Sequence, residues 1–308
     1  MLQMFNIPGH VIDTAKLGNM LHGPSVTDLE ETFAQYVGAK YACSFNSATS
    51  AIFLIFKNKG LTVHVPSMIP PVVVNALLTT GNTVKFTDNV DWVGNSYVLY
   101  KFPTYKVVDS AQRLEQNQFH ECNDNDLMIF SFYPTKPLGG CDGGMVVTND
   151  YEKYKKMKEL TMNGMKYTEN SWDRNIVFPG YKMYMNSVQA EIILKNFDNF
   201  ERKMEVLGNL VGTYNDSLGY DNFSRHLYRI EVDDNSAFIE YMKSHDIMCG
   251  IHYQGLHLHP VYKHLTVRRL RYDATERTMN RTVSLPMNEM LSDSDVAHII
   301  QKVKEYGI

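Results

Sequence analysis

"IFSFYPTKPLGGCDGGMVVTND", residues 129–150, sets a single lysine between an apolar run and four glycines. Lys136 follows "LMIFSF", which reads as a buried strand, and precedes "GMVVT", which reads as another. Gly139, Gly140, Gly143 and Gly144 allow close backbone approach between the two. A lysine taken at random belongs to a solvated face, because lysine is almost never buried unless paired. One tethered between two buried strands lies near a crevice, where its amine can attack a carbonyl and form a Schiff base.

Outward from this stretch, strand-like and helix-like segments alternate. "SVTDLEETFAQYV" repeats Leu29, Phe33, Tyr36 and Val37 at helical spacing, with Ser25 as the expected cap and Asp28 three residues on. "YACSF" reads as a strand and "TSAIFLIFKN" as a helix; "TVHVP", "TVKFTD" and "YKVVD" are further strands. Such alternation predicts an α/β fold with a mostly parallel sheet. From residue 187, "SVQAEIILKNFDNFERKMEVL" predicts one long helix with Val188, Ile192, Phe197 and Phe200 in the core. It leads into a smaller C-terminal α+β part. That part has strands at "HLYRIEV" and near "MCGIHY", a helix at "SAFIEYMKSH", and a last helix from Ser292 carrying Val296, Ile299, Ile300 and Val303. The expected division is a large domain at 1–200 and a small one at 201–308.

With 308 residues, 44% of them hydrophobic, the chain can bury a sizeable core. Thirty basic and 34 acidic residues, without runs of one sign, argue against a nucleic-acid or membrane-surface partner. Four dispersed cysteines without metal-type spacing fit a reducing, cytoplasmic setting, and no signal-peptide or membrane-spanning pattern is present.

Ligands of open parallel sheets bind beyond the carboxyl ends of the strands, and three features fall there. After "YACSF", the polar turn Asn46–Ser50 opens a helix, offering free N–H groups to a phosphate or, more simply, an ordinary cap. Asp109 ends "YKVVD", with Gln112 three residues on; it is either a turn cap or a carboxylate facing a protonated ring nitrogen. Lys136 is the third, with Ser131 on the strand before it. A phosphate cradle, a strand-end aspartate and a strand-end lysine together match the needs of pyridoxal 5′-phosphate.

The chain resembles the DegT/DnrJ/EryC1/StrS family of pyridoxal-phosphate nucleotide-sugar aminotransferases. The resemblance is carried by "GPSVTDLEETFAQYVGAKYACSFNSATSAI", "VVDSAQ", "FSFYPTKPLGGCDGGMVVTND", "PGYKMYMNSVQAEI", "IHYQGLHLHPVY" and "VSLPMNEMLSDSDV". It implies the aspartate-aminotransferase type fold (fold type I), a homodimer with shared sites, and amino transfer from glutamate or glutamine to a keto carbon of a nucleotide-linked sugar. The "YPTKPLGG" wording is nearer members acting at sugar C3 than at C4. By position, Lys136 is the expected Schiff-base lysine and proton shuttle, and Asp109 the partner of the pyridine nitrogen. Gln112 is expected near the ring oxygen, and Ala48, Thr49 and Ser131 at the phosphate. Lys182, or Asn186 a little further on, would reach the partner subunit's phosphate. Tyr253 and His257 would line the substrate entrance.

Three departures stand out, one being that "GGCDGG" is a residue shorter than the family's usual glycine-rich segment. "VPSMIPPVV" puts Met68, Ile69 and Pro70 where the family has polar and aromatic side chains, so the aromatic that stacks on the ring is missing, with Tyr133 and Tyr181 as substitutes. The stretch between Asp88 and Asp109 is too short for a strand and a crossover helix, so a unit of the fold is shortened, with a strand kept at "SYVLY". These departures keep two alternatives open: a non-catalytic cofactor- or sugar-binding homologue, and a pyridoxal-phosphate sugar dehydratase, which Lys136 argues against.

Overall fold

The computed structural model describes residues 1–168 and 171–308. α1 (Pro24–Val37) begins with Gly23 as N-cap and Pro24 at its first turn, not with the Ser25 cap expected. Proline's fixed φ and missing N–H suit a helix's first position. Ser25 instead donates its hydroxyl to Glu191 at 2.9 Å. β1 (Tyr41–Phe45), α2 (Ala48–Phe56), β2 (Thr62–Pro66), α3 (Pro71–Thr79) and β3 (Thr83–Thr87) follow as the alternation predicts. Next come β4 (Tyr97–Lys101), β5 (Lys106–Asp109), β6 (Leu127–Ser131) and β7 (Gly144–Thr148), then α4 (Tyr151–Thr161) and an antiparallel pair of β8 (Met165–Thr168) and β9 (Ser171–Ile176).

The central sheet has five strands in the order β1-β7-β6-β5-β4. It is mixed rather than mostly parallel as expected: β5 and β6 pair in parallel, while β1–β7, β6–β7 and β4–β5 are antiparallel. β2 and β3 form a separate parallel pair. The reversal of β4 has a local cause. It joins β5 through a tight hairpin, closed by Phe102 N–H donating to the Tyr105 carbonyl at 2.8 Å, and a connection that short permits only antiparallel pairing. "SYVLY" is thus a strand, and the shortened stretch is closed by a hairpin in place of a crossover.

The helix expected from residue 187 is two helices, α5 (Ser187–Phe197) and α6 (Phe200–Leu218). Asn199, at φ −110° and ψ 9°, leaves helical geometry at the break. An aromatic clasp holds the junction: Tyr36 meets Phe197 at 5.2 Å and Phe200 at 5.7 Å between ring centroids. Phe200 is buried as expected; Val188, Ile192 and Phe197 are half-buried, and Ala190 and Ile193 take the innermost places.

The C-terminal part pairs β10 (Tyr228–Glu231) with β11 (Thr282–Leu285), packs α7 (Asn235–Ser244) on β11 with α8 (Asp273–Arg281) beside it, and lays α9 (Asp293–Tyr306) against α6 and α7. Ser292 caps α9 in a reciprocal box with Asp295. No strand forms at "MCGIHY"; a single bridge joins Gly250 to Ser284. Beyond it the backbone leaves the sheet edge and carries His252 and Tyr253 to the central cavity.

Candidate active site

The parallel pair β5–β6 points both carboxyl ends at one rim, where α2 also begins. Around that rim lies a cavity of about 490 Å³, whose walls include Ala48, Thr49, Asp109, Gln112, Ser131 and Lys136. Six expected site residues from three separate segments, joined by Tyr253 from a fourth, therefore meet in one space.

Lys136 stands on the β6–β7 connection, its backbone N–H held by the Tyr133 carbonyl at 2.9 Å. Among the described residues its amine has no hydrogen-bond or ion-pair partner. Burial lowers its pKa below the ordinary lysine value, partly opposed by the charge of Asp109. An unpaired amine with a depressed pKa has the lone pair a nucleophile needs.

Asp109 is buried at the end of β5. Its Oδ1 accepts the Ala111 N–H at 3.0 Å and its Oδ2 the Tyr97 hydroxyl at 3.0 Å. Burial raises its pKa; those two hydrogen bonds and Lys136 pull the other way. Gln112 is a tie between loops: its side-chain amide donates to the Tyr253 hydroxyl at 2.8 Å, and its Oε1 accepts the Gly94 N–H at 2.5 Å.

Ser47 caps α2, its hydroxyl oxygen accepting the Ser50 N–H. That leaves the first-turn amides of Ala48 and Thr49 without intrahelical partners, as at any helix start. Gly144 lets this turn sit against β7. A Cβ there would fall 2.4 Å from the Ala48 nitrogen and 2.5 Å from its Cα. Gly144→Ala is therefore expected to lose about 1–3 kcal/mol through overpacking, read as a lower urea midpoint. An unchanged midpoint would show that the turn yields freely.

The sequence reading missed much of the wall. Phe5, Trp92, Tyr97, His226 and His252 all line the cavity. Burial, then the charge of Lys136, lowers both histidines; His252 is pushed down to about 4, so both are neutral at pH 7. Trp92 lies almost parallel to Tyr253, 6.0 Å between centroids with 6° between planes, and packs on Tyr97 at 5.0 Å. The available signal was the aromatic pair of "DWVGNSY", inside the shortened stretch.

A profile of the DegT/DnrJ/EryC1/StrS aminotransferase family matches residues 6–95 and 109–304. The chain belongs to that family. The unmatched interval coincides with β4 and most of β5, the hairpin that replaces a crossover. The spore coat polysaccharide biosynthesis protein SpsC of Bacillus subtilis is 28% identical, over 96% of this chain and 92% of its own. That alignment runs over 360 positions, more than the 308 residues here, so the relative has segments with no counterpart in this chain. The UDP-4-amino-4,6-dideoxy-N-acetyl-beta-L-altrosamine transaminase of Campylobacter jejuni strain 81-176 is 24% identical over 92% of both chains. Spr1654 of Streptococcus pneumoniae, solved in a PLP form, shares the fold at a TM-score of 0.76 and 19% identity, over 95% of this chain and 93% of that one.

Within this family member, Tyr253 lines the cavity but His257 does not. His257 is buried, its Nδ1 2.6 Å from the Ser67 hydroxyl and its ring stacked on Tyr272. It braces the backbone just before Met68–Pro70. Lys182 is exposed and outside the cavity, and Asn186 caps α5. Of the two substitutes for the missing aromatic, Tyr133 lines the cavity, whereas Tyr181 packs on Phe53 at 5.5 Å elsewhere. Ile69 and Pro70 do form wall, but the aromatic surface comes chiefly from Trp92, Tyr97 and Tyr253.

Proposed function

We propose that this chain is a pyridoxal 5′-phosphate-dependent aminotransferase that moves an amino group from glutamate or glutamine to a keto carbon of a nucleotide-linked sugar. The observation that carries the reading is the unpaired Lys136 amine sharing one cavity with the buried carboxylate of Asp109. The residues suit the cofactor: an amine at one wall, a carboxylate at another, and a helix start brought close by Gly144. Bound there, pyridoxal phosphate supplies an aldehyde for an amine and a ring that takes up electrons.

The chain's residues do the rest. The Ala48 and Thr49 amides, the α2 dipole and the Ser131 hydroxyl hold the phosphate. The Asp109 carboxylate would accept the ring N–H and keep that nitrogen protonated. Lys136 Nζ would hold the aldehyde carbon and, when free, would carry the proton from the donor's α-carbon and return it on the other side of the exchange. Tyr253 and Trp92 shape the approach to Lys136. In a homodimer, which we also propose, the exposed Lys182 reaches the neighbouring subunit's phosphate. Residues 1–200 form the cofactor-binding part and 201–308 the smaller part. The described residues include no helix long and apolar enough to cross a membrane; a cytoplasmic setting is part of the proposal.

The test is direct. Purified protein with pyridoxal phosphate should absorb near the yellow edge of the visible, and borohydride should fix the pyridoxyl group on Lys136. Because the transaminase relative acts on a 4-amino sugar of UDP, a UDP-linked 4-keto sugar is the first acceptor to try and a 3-keto sugar the second. Keto acid released in step with amino sugar supports the reading. Sugar deoxygenation without use of the donor, or no turnover by a labelled protein, would overturn it.

A further inference from the structure

We propose that Tyr97 is a positioning residue for Asp109, supplied by the strand that stands where the shortened fold lacks a crossover. The inference rests on the reading of Asp109 as the ring-nitrogen partner. β4 pairs antiparallel with β5, and Tyr97 is the register partner of Asp109, so both side chains leave the same face of the sheet. The phenol O–H donates to Oδ2 at 3.0 Å while the Ala111 N–H holds Oδ1 at 3.0 Å. The carboxylate is gripped from two sides, and each oxygen keeps a lone pair for a further donor.

A carboxylate buried this deeply pays for its charge in lost hydration, and hydrogen bonds from neighbours are what keep it ionised. Among the described residues, Tyr97 is the one side chain that donates to Asp109. Trp92 packs on the Tyr97 ring, and both line the cavity, so the hydroxyl is aimed by a stacked wall. Tyr97 falls at 96–108, the interval outside the family match. The contact thus belongs to this chain's own way of closing the shortened stretch, and the reversal of β4 is what places it.

The experiment measures binding of 4′-deoxypyridoxine 5′-phosphate, a probe with ring and phosphate but no aldehyde for Lys136. Equilibrium dialysis on the cofactor-free full chain compares wild type, Tyr97→Phe, Asp109→Asn and the double variant. Tyr97→Phe keeps the ring and should weaken the probe about tenfold, the size of one hydrogen bond to a charged group. Asp109→Asn should weaken it at least as much, and the double variant no further, since the hydroxyl then has no carboxylate to hold. Val98→Ala, at an exposed neighbour on the same strand, should bind as wild type and controls for a loosened β4. Tyr97→Phe binding within twofold of wild type, or losing the same factor in the Asp109→Asn background, overturns the inference alone. Unchanged binding by Asp109→Asn overturns the reading beneath it.

Discussion

Lys136→Ala is expected to lose transamination almost entirely, with kcat down on the order of 10⁴-fold, because one amine serves both as anchor and as proton carrier. The variant should still bind 4′-deoxypyridoxine 5′-phosphate, since the helix start and Asp109 are untouched. Its fold should also hold, because the amine has no partner to leave stranded among the described residues. The measurement is single-turnover release of keto acid from glutamate, beside a thermal melt. Wild-type turnover in Lys136→Ala would remove the lysine from the chemistry.

Asp109→Asn is expected to lower kcat by about 10²–10³, the usual cost of deleting one preorganised electrostatic partner. Its pH dependence carries a sign that can be worked out. Burial raises the Asp109 pKa, so as pH falls the carboxylate protonates earlier than an exposed one would, and only the ionised form holds a ring N–H. The acid limb of kcat/KM should therefore lie above the ordinary carboxylate range in the wild type and disappear in the asparagine variant. In Tyr97→Phe, which removes a hydrogen bond that favours the charged form, the limb should move to higher pH. Retention of the same limb in Asp109→Asn would assign it to another group.

The local order of the chain was legible because its causes are local. A strand that ends in a polar turn and a helix, as at 41–56, is written in apolar periodicity and cap residues. So is the Ser292 cap of the last helix. Where the reading erred, the deciding contact was remote. The helix at 187 breaks after Phe197 because Tyr36, far back in the chain, clasps both flanking phenylalanines. "MCGIHY" fails to become a strand because its end serves the cavity, where Tyr253 accepts a hydrogen bond from Gln112.

The sequence by itself determined that Lys136, Asp109 and the Asn46–Ser50 turn stand at strand ends, which is enough to name a chemistry. It could not say which way β4 runs, because a five-residue, mostly apolar strand reads the same in either direction. Only the hairpin at 102–105 turned it antiparallel, and that choice brought Tyr97 opposite Asp109 and left Trp92 beside Tyr253. The expected aromatic gap at Met68–Pro70 was real as sequence, yet the cavity has an aromatic wall drawn from elsewhere. Residue types and strand ends are properties of short segments; which side chains share a wall depends on contacts between segments distant in the chain, and packing alone decides those.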